Sequence, residues 1–414
     1  MAAALTPRPH FYDDTLKVDG SYIFNVECDL SIVNSLRRVM LSDIPNVGIR
    51  FDPYNEVDHD IKFDVNTGCL HNEIIGHRLS LIPICMHPND IGKFDKSASP
   101  RLVIDAQNTG NGMVDVTTDD IKVLDVDGKE VRDHAYFPKF VPHEGGKAYP
   151  ILITKLKPNL SSKENGDKLR LEATLSLGTA SQNAAWSPVS KASFFNAVDD
   201  KAADEAFEKK CEGIAALTAE QKKELRIRFD TLEKFQHFKR NKYGEPSHMI
   251  FTVKSECAMT PQYIVFKSLS ILCGKVDKLY KSVNEGDAAH VVIRATTEAM
   301  YDITLKNETH TLGNLLQAQL YNTYVRDQGK SVLKYIGYIC PHPLEKTIVV
   351  KVAFASAESE PAQSMEAMTK WLVGAVDGVR STLAALTKEW VEFAKLTEQG
   401  YDDVAAFMEA ERRE

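Results

Sequence analysis

At 414 residues the chain is longer than one ordinary core serves, so two or three domains are expected. A formal net charge of −8 argues against a protein that grips nucleic acid over its whole surface, which would carry a basic excess. With 43% hydrophobic and 26% charged residues the composition is globular, and no stretch nears the ~20 consecutive apolar residues of a membrane span.

The first element in chain order is a strand over Ser21–Val26, rich in aromatic and β-branched residues. A helix over about Leu30 to Ser42 follows, capped by Asp29 or Ser31 and ended by Pro45, with Ile32, Leu36, Val39 and Met40 as its apolar stripe. From about Asp52 to Ser193 the pattern is mainly β: short runs such as Leu102–Ile104, Ile151–Ile153 and Leu169–Leu177 sit between Gly, Asn and Asp turns. Between Val198 and Asn241 the composition shifts to Lys, Glu and Ala. Thr218 and Gln221 there form a capping box before a helix carrying Leu225, Phe229, Leu232 and Phe235. This segment reads as an inserted helical pair with a solvated charged face.

Strand character returns at Met249–Val253, and Pro261 opens a helix with Ile264, Val265, Leu269, Leu272, Val276 and Leu279 on one broad face. Asn284–Asp287 is the best linker candidate. A second strand–helix unit then begins: strands at His290–Arg294 and Met300–Leu305, a helix from about Leu312 to Asn322, and strands at Tyr335–Ile339 and Thr347–Val352. The C-terminal helix is expected from about Pro361 to at least Lys395, with Leu372, Val379, Leu383, Leu386 and Trp390 in a stripe that must lie against another helix.

Two segments repeat. Ser31-Ile32-Val33-Asn34-Ser35-Leu36 aligns with Thr311-Leu312-Gly313-Asn314-Leu315-Leu316 at an offset of 280 residues. Each follows a strand, and each half ends in a long amphipathic helix. A duplicated fold with an internal pseudo-twofold interface is therefore expected. Its seam is assigned to Leu36, Leu269, Leu272, Val276, His310, Leu312, Gly313, Asn314, Leu316, Leu372 and Val379.

Candidate chemistry is sparse. Cys69, His71, Cys85 and His87 form two Cys-x-His pairs, which on strands would share a face, but the spacing fits no established zinc pattern. His310 lacks a nucleophile or carboxylate partner at readable spacing and reads as a neighbour of a helix cap. Gly313 removes a side chain where packing is close. There is no phosphate-binding glycine loop and no Asp-rich magnesium motif, so neither catalytic residues nor a metal are assigned. The seven cysteines form no Cys-x-x-Cys pair, and MAAALTPRPH lacks the apolar core of a secretory signal. Reduced thiols in an intracellular compartment are expected.

The run Val26-Glu27-Cys28-Asp29-Leu30-Ser31-Ile32-Val33-Asn34-Ser35-Leu36-Arg37-Arg38-Val39-Met40 resembles the signature helix of the larger α-like subunit of archaeal and eukaryotic RNA polymerases. The likeness continues through Ile44-Pro45, Asn66–Glu73, Ile75–Pro83, Ala185–Val189, Ile250–Ser255 and the helix after Pro261. Glu308–Leu316, with Gly337-Tyr338 and Pro341–Glu345, resembles the smaller α-like subunit. The resemblance implies an α+β fold: two strand–helix dimerisation domains paired within one chain, the first interrupted by an inserted mainly-β domain. Expected boundaries are 11–55 with 245–285, then 56–244 including the charged insertion 198–241, then 290–414.

It also implies a non-catalytic assembly platform with Asn34, Ser35, Arg37, Arg38, His77 and Arg78 facing partners. Those partners would be the two largest polymerase subunits and small zinc-binding subunits, with one copy of the chain per polymerase and DNA met only indirectly. No cofactor is expected in this chain, the catalytic magnesium belonging to a large subunit. Fusion of the halves resembles the arrangement in large cytoplasmic DNA viruses, which implies host cytoplasm and virion, or otherwise the nucleus. Two features depart from the family: no Cys-x-x-Cys lies between residues 60 and 200, and Val198–Asn241 has no counterpart. A transcription accessory factor outside the core enzyme is the alternative, while an enzyme centred on the middle domain finds no supporting constellation.

Overall fold

The structure, a computed structural model, describes residues 9–54, 59–131, 135–141, 146–159, 166–214, 218–297, 300–326, 333–342, 344–354, 365–397 and 399–412. A hairpin of β1 (His10–Leu16) and β2 (Ser21–Glu27) turns at Gly20, whose φ of +78° suits glycine, and leads into α1 (Leu30–Ser42). Next come β3 (Pro45–Gly48), β4 (Ile61–Asn66), α2 (Asn72–Ser80), α3 (Pro88–Gly92), β5 (Arg101–Gln107), β6 (Val114–Thr117) and β7 (Lys122–Leu124). β8 (Leu152–Leu156), β9 (Lys168–Ala173), β10 (Ser176–Thr179) and β11 (Val189–Asn196) precede a helical pair, α4 (Asp200–Glu212) and α5 (Ala219–Leu232). Then follow β12 (His248–Ser255), α6 (Pro261–Asn284), β13 (Val291–Thr297), β14 (Met300–Lys306), α7 (His310–Tyr324), β15 (Leu333–Ile339), β16 (Thr347–Phe354), α8 (Met365–Phe393) and α9 (Asp402–Glu411).

Local signals account for several boundaries. The Asp29 carboxylate accepts from the Ser31 amide at 2.8 Å, so Asp29 caps α1. Thr218 and Gln221 form the reciprocal capping box that opens α5. Pro361, the expected start of the last long helix, and Pro343 lie outside the described residues, where α8 begins at Met365.

By contacts the chain divides into two compact units. The first takes the described residues of 1–40, 191–254 and 265–396. It holds two four-stranded sheets, ordered β1-β2-β12-β11 and β13-β14-β16-β15. In both, a hairpin precedes a helix, two further strands follow, and the later of them lies beside the hairpin before a long helix closes the series. The repeat seen over six residues thus extends to the whole topology. Both halves fall in one unit, and the 198–241 segment falls with them rather than with the inserted β domain. The reason is that β11 and β12, which flank it, belong to the first sheet. Ala203, Phe207 and Phe229 make a small core between α4 and α5, whereas Leu232 is exposed at the end of α5 and Phe235, expected on the same helix, is exposed beyond it.

The second unit takes the described residues of 41–190, 255–264 and 397–414. Its main sheet is β4-β9-β5-β7, with two-stranded sheets β10-β3 and β6-β8. Trp186 is buried flat against Gly48 and Gly178, where a Cβ would stand 2.2 and 1.6 Å from the indole, so the two glycines make room for the ring. Two short helices interrupt the expected β pattern. In α2 a Cβ on Gly76 would sit 2.5 Å from the Phe51 ring, and close packing outweighs the low helix propensity of glycine. From the chain end, Tyr401 stacks on Tyr263 with centroids 4.1 Å apart, and Lys93 pairs with Asp402 at 2.7 Å.

Candidate functional site

The site is a seam inside the first unit, where the two halves meet. α1 and α7 run antiparallel across it. The Ser35 hydroxyl donates to the Thr311 carbonyl at 3.3 Å, and Arg38 Nε donates to Thr311 Oγ1 at 2.9 Å. At the other end Asn322 Nδ2 donates to Asp29 Oδ2 at 3.3 Å. Subtracting the repeat offset of 280 carries Thr311 to position 31 and Asn322 to position 42. Each contact then joins positions placed about equally on either side of residues 33–36. The pseudo-twofold axis therefore passes beside Asn34 and Asn314, the residues on which the repeat aligns.

The long helices extend the seam. Arg380 Nε reaches Asp277 Oδ1 at 2.7 Å, and Cys273 Sγ lies 3.8 Å from Thr387 Oγ1, which sets α6 antiparallel to α8. Each helix ends on the other half's sheet. Trp390 of α8 is fully buried among Phe11, Phe24 and Tyr22, with ring centroids at 4.7, 4.8 and 6.4 Å. In the reciprocal position, Lys278, Leu279 and Ser282 of α6 line a small cleft with Val291 and Leu305 of the second sheet. The arrangement is isologous in kind but closed within one polypeptide.

Beside Trp390, the Glu389 carboxylate accepts the Phe11 amide at 2.7 Å. Burial raises its pKa above the usual carboxylate range, opposed by that hydrogen bond and by His10. A raised folded pKa means stability falls as pH climbs through the carboxylate range, because the folded state holds the proton more tightly. Glu389→Gln, which keeps an acceptor without the charge, is expected to raise the melting temperature at pH 7. The gain should vanish below about pH 4, where the unfolded carboxyl is also protonated; a pH series of thermal melts measures it.

The residues assigned from sequence divide clearly. Leu36, Leu269, Leu272, Val276, Leu312, Leu316, Leu372 and Val379 are all buried, and Asn314 is half-buried. His310 is instead exposed, its ring edge-on to Tyr338 at 5.7 Å in its own half, so it does not reach across the seam. At Gly313 a Cβ would stand 2.9 Å from Ile348 and Tyr338, so its missing side chain serves helix-on-sheet packing within the second half. Ser35 is 1% exposed, and its bond to Thr311 places it inside the seam rather than on a partner-facing surface. Arg38 is likewise turned to Thr311. Arg37 differs: its Nε and Nη2 donate to Asn34 Oδ1 of the same helix at 3.1 and 3.0 Å, leaving the seam bonds to others. His77 and Arg78 are exposed in the second unit, where Arg78 Nη2 donates to the Leu152 carbonyl at 2.7 Å.

The Cys-x-His pairs do not lie on strands. His71 and His87 are the N-cap residues of α2 and α3, and His87 Nδ1 accepts from the Asn89 amide at 3.3 Å. Among the described residues, no group of three or more His, Cys, Asp or Glu could hold a metal ion. Among them too, no helix is long and apolar enough to cross a membrane. The Arg380–Asp277 pair and the Phe11–Trp390 contact escaped sequence reasoning. Trp390 stood in the apolar stripe, but nothing local named its partner.

Comparison with known proteins agrees with this two-part geometry. A family model described as the RNA polymerase Rpb3/Rpb11 dimerisation domain matches residues 23–276, and a second model of the same description matches residues 300–382. The chain is 26% identical over 289 residues to the DNA-directed RNA polymerases I and III subunit RPAC1 of Saccharomyces cerevisiae, covering 61% of this chain and 81% of that protein. It is 28% identical over 182 residues to the DNA-directed RNA polymerases IV and V subunit 3B of Arabidopsis thaliana, covering 41% of this chain and 50% of that one. To the DNA-directed RNA polymerase II subunit rpb3 of Dictyostelium discoideum it is 27% identical over 200 residues, 44% of this chain and 56% of the relative.

Proposed function

The chain belongs to the RNA polymerase Rpb3/Rpb11 dimerisation-domain family, and from that premise we propose that it is a non-catalytic, single-chain platform on which the two largest polymerase subunits assemble. The observation that carries this reading is the seam. The surfaces that two separate subunits would use to find each other are already occupied here by α1 on α7 and by Trp390 on the first sheet. What is left for partners is the outward side of α1 at Asn34 and Arg37, together with His77 and Arg78 of the second unit. Guanidinium groups suit such interfaces because their planar fork binds carboxylates in two places.

On this reading one copy enters each polymerase, small zinc-binding subunits join the same assembly, and DNA is held mainly by the large subunits. The chain brings no cofactor, and the catalytic magnesium sits in a large subunit. On the same reading the fused halves, a pattern resembling that of large cytoplasmic DNA viruses, support a viral setting with the host cytoplasm and the virion as its compartments; a non-viral chain would work in the nucleus.

Affinity purification of the tagged chain from its native source tests the proposal. Recovery of the two largest polymerase subunits in stoichiometric amounts is expected; a chain isolated without them would instead be an accessory factor. Arg37→Glu sharpens the test, since the seam bonds of Ser35 and Arg38 stay intact. It should cost about 2–5 kcal/mol of association if Arg37 meets a buried partner charge. Co-purification would then be lost while the melting temperature is kept, and unchanged recovery would remove Arg37 from the interface.

A further inference from the structure

We propose that the basic stretch of residues 222–243 is a contact for single-stranded nucleic acid, in which exposed cations hold phosphates and two exposed rings stack on bases. The chain is acidic overall, yet this stretch carries eight Lys or Arg against Glu224, Asp230 and Glu233. Internal pairing consumes only part of that excess. Arg226 is held by Asp204 and Asp230 at 2.8 and 3.0 Å, Lys234 by Asp200 at 2.9 Å, and Glu233 pairs with Lys210. Lys222, Lys223, Arg228, Lys239, Arg240 and Lys242 remain exposed, with no carboxylate in ion-pairing range among the described residues.

The aromatic residues indicate what such cations would meet. The small core of α4 and α5 is complete with Ala203, Phe207 and Phe229, so it has no need of Phe235, which is 60% exposed, or Tyr243, which is 39% exposed. A rigid turn holds the latter in place. Asn241 Oδ1 accepts from the Tyr243 and Glu245 amides at 2.9 and 3.0 Å, and Gly244 takes a φ of +84°. Around that turn Lys242 Nζ lies 4.8 Å from the Tyr243 ring, the Arg326 guanidinium, ion-paired with Glu245, packs 4.1 Å from the same ring, and the Arg240 guanidinium stands 4.2 Å from Phe238. Rings interleaved with cations suit unstacked bases on a phosphate backbone. An acidic polypeptide would engage the cations and leave the rings unused. A duplex would keep its bases from them.

Fluorescence anisotropy of a labelled oligothymidylate of about 20 nucleotides with the full chain tests this. With about four phosphates engaged, affinity should fall about fiftyfold between roughly 50 and 200 mM salt. Lys239→Gln with Lys242→Gln should lower the salt slope by about 1.4. Phe235→Leu with Tyr243→Leu should weaken binding at least about tenfold with the slope unchanged. Lys122→Gln with Lys129→Gln, at exposed positions of the second unit, serves as the control and should change nothing. Absence of binding at low salt, an equal loss in the control, ring variants without effect, or competition by polyglutamate as strong as by unlabelled oligonucleotide would each overturn the proposal.

Discussion

Replacing Trp390 by alanine is expected to destabilise the chain by about 3–5 kcal/mol, the usual cost of removing a large buried aromatic. The side chain is fully buried, yet every ring around it in the first sheet belongs to the other half. The variant therefore opens a cavity between α8 and the first sheet, beside Phe393, which itself packs on Phe11, and it loosens the contact between the halves as well as weakening either. Calorimetry should show a melting transition lower by several degrees, and Phe11 should become open to solvent and to protease. Trp390→Phe, which keeps a ring against Phe11 and Phe24, should recover a large part of the loss. A melt unchanged by Trp390→Ala would mean that α8 does not rest on the first sheet.

The second large effect concerns the link between halves. Residues 1–285 and 290–414 expressed apart should each be poorly soluble. Each would expose a face that the other covers: Phe11, Tyr22 and Phe24 on one side, and Trp390 on the other. Expressed together they should form a one-to-one complex whose stability depends on concentration, whereas in the intact chain that step is intramolecular. Size-exclusion chromatography with light scattering reads the outcome, and two monodisperse monomers that ignore each other would contradict the seam.

Much of this was legible in the sequence, and the failures share a cause. The Asn34 and Asn314 segments align by eye, and helical spacing marks Leu269, Leu272, Val276, Leu372 and Val379 as inward-facing because burial on a helix is periodic. Asp29 and Thr218 announce their helices because a cap is a local bond. Ser35 misleads because a hydroxyl between Asn34 and Leu36 reads as polar and outward, while its acceptor, the Thr311 carbonyl, lies 276 residues away. Gly313 and His310 stand in a recognisable motif, but which surface each one meets depends on Tyr338, again a tertiary fact. The helix α2 hid within an apparently β-rich stretch because Gly76 weakens its pattern, and only Phe51 explains why glycine is there.

The Phe11–Trp390 contact also has a consequence for how the chain is made. The strands of the first sheet are complete once His248–Ser255 has been synthesised, but the helix that covers its aromatic face comes near the end, with Phe11 and Glu389 separated by 378 residues. At about 5–20 residues per second a ribosome takes on the order of 20–80 s to cover that distance. Throughout that interval the rings of Phe11, Tyr22 and Phe24 await their cover on the nascent chain. A fused chain thus avoids a search between two separate halves, and in exchange its first half spends its synthesis as a client for whatever shields apolar surface in the cell.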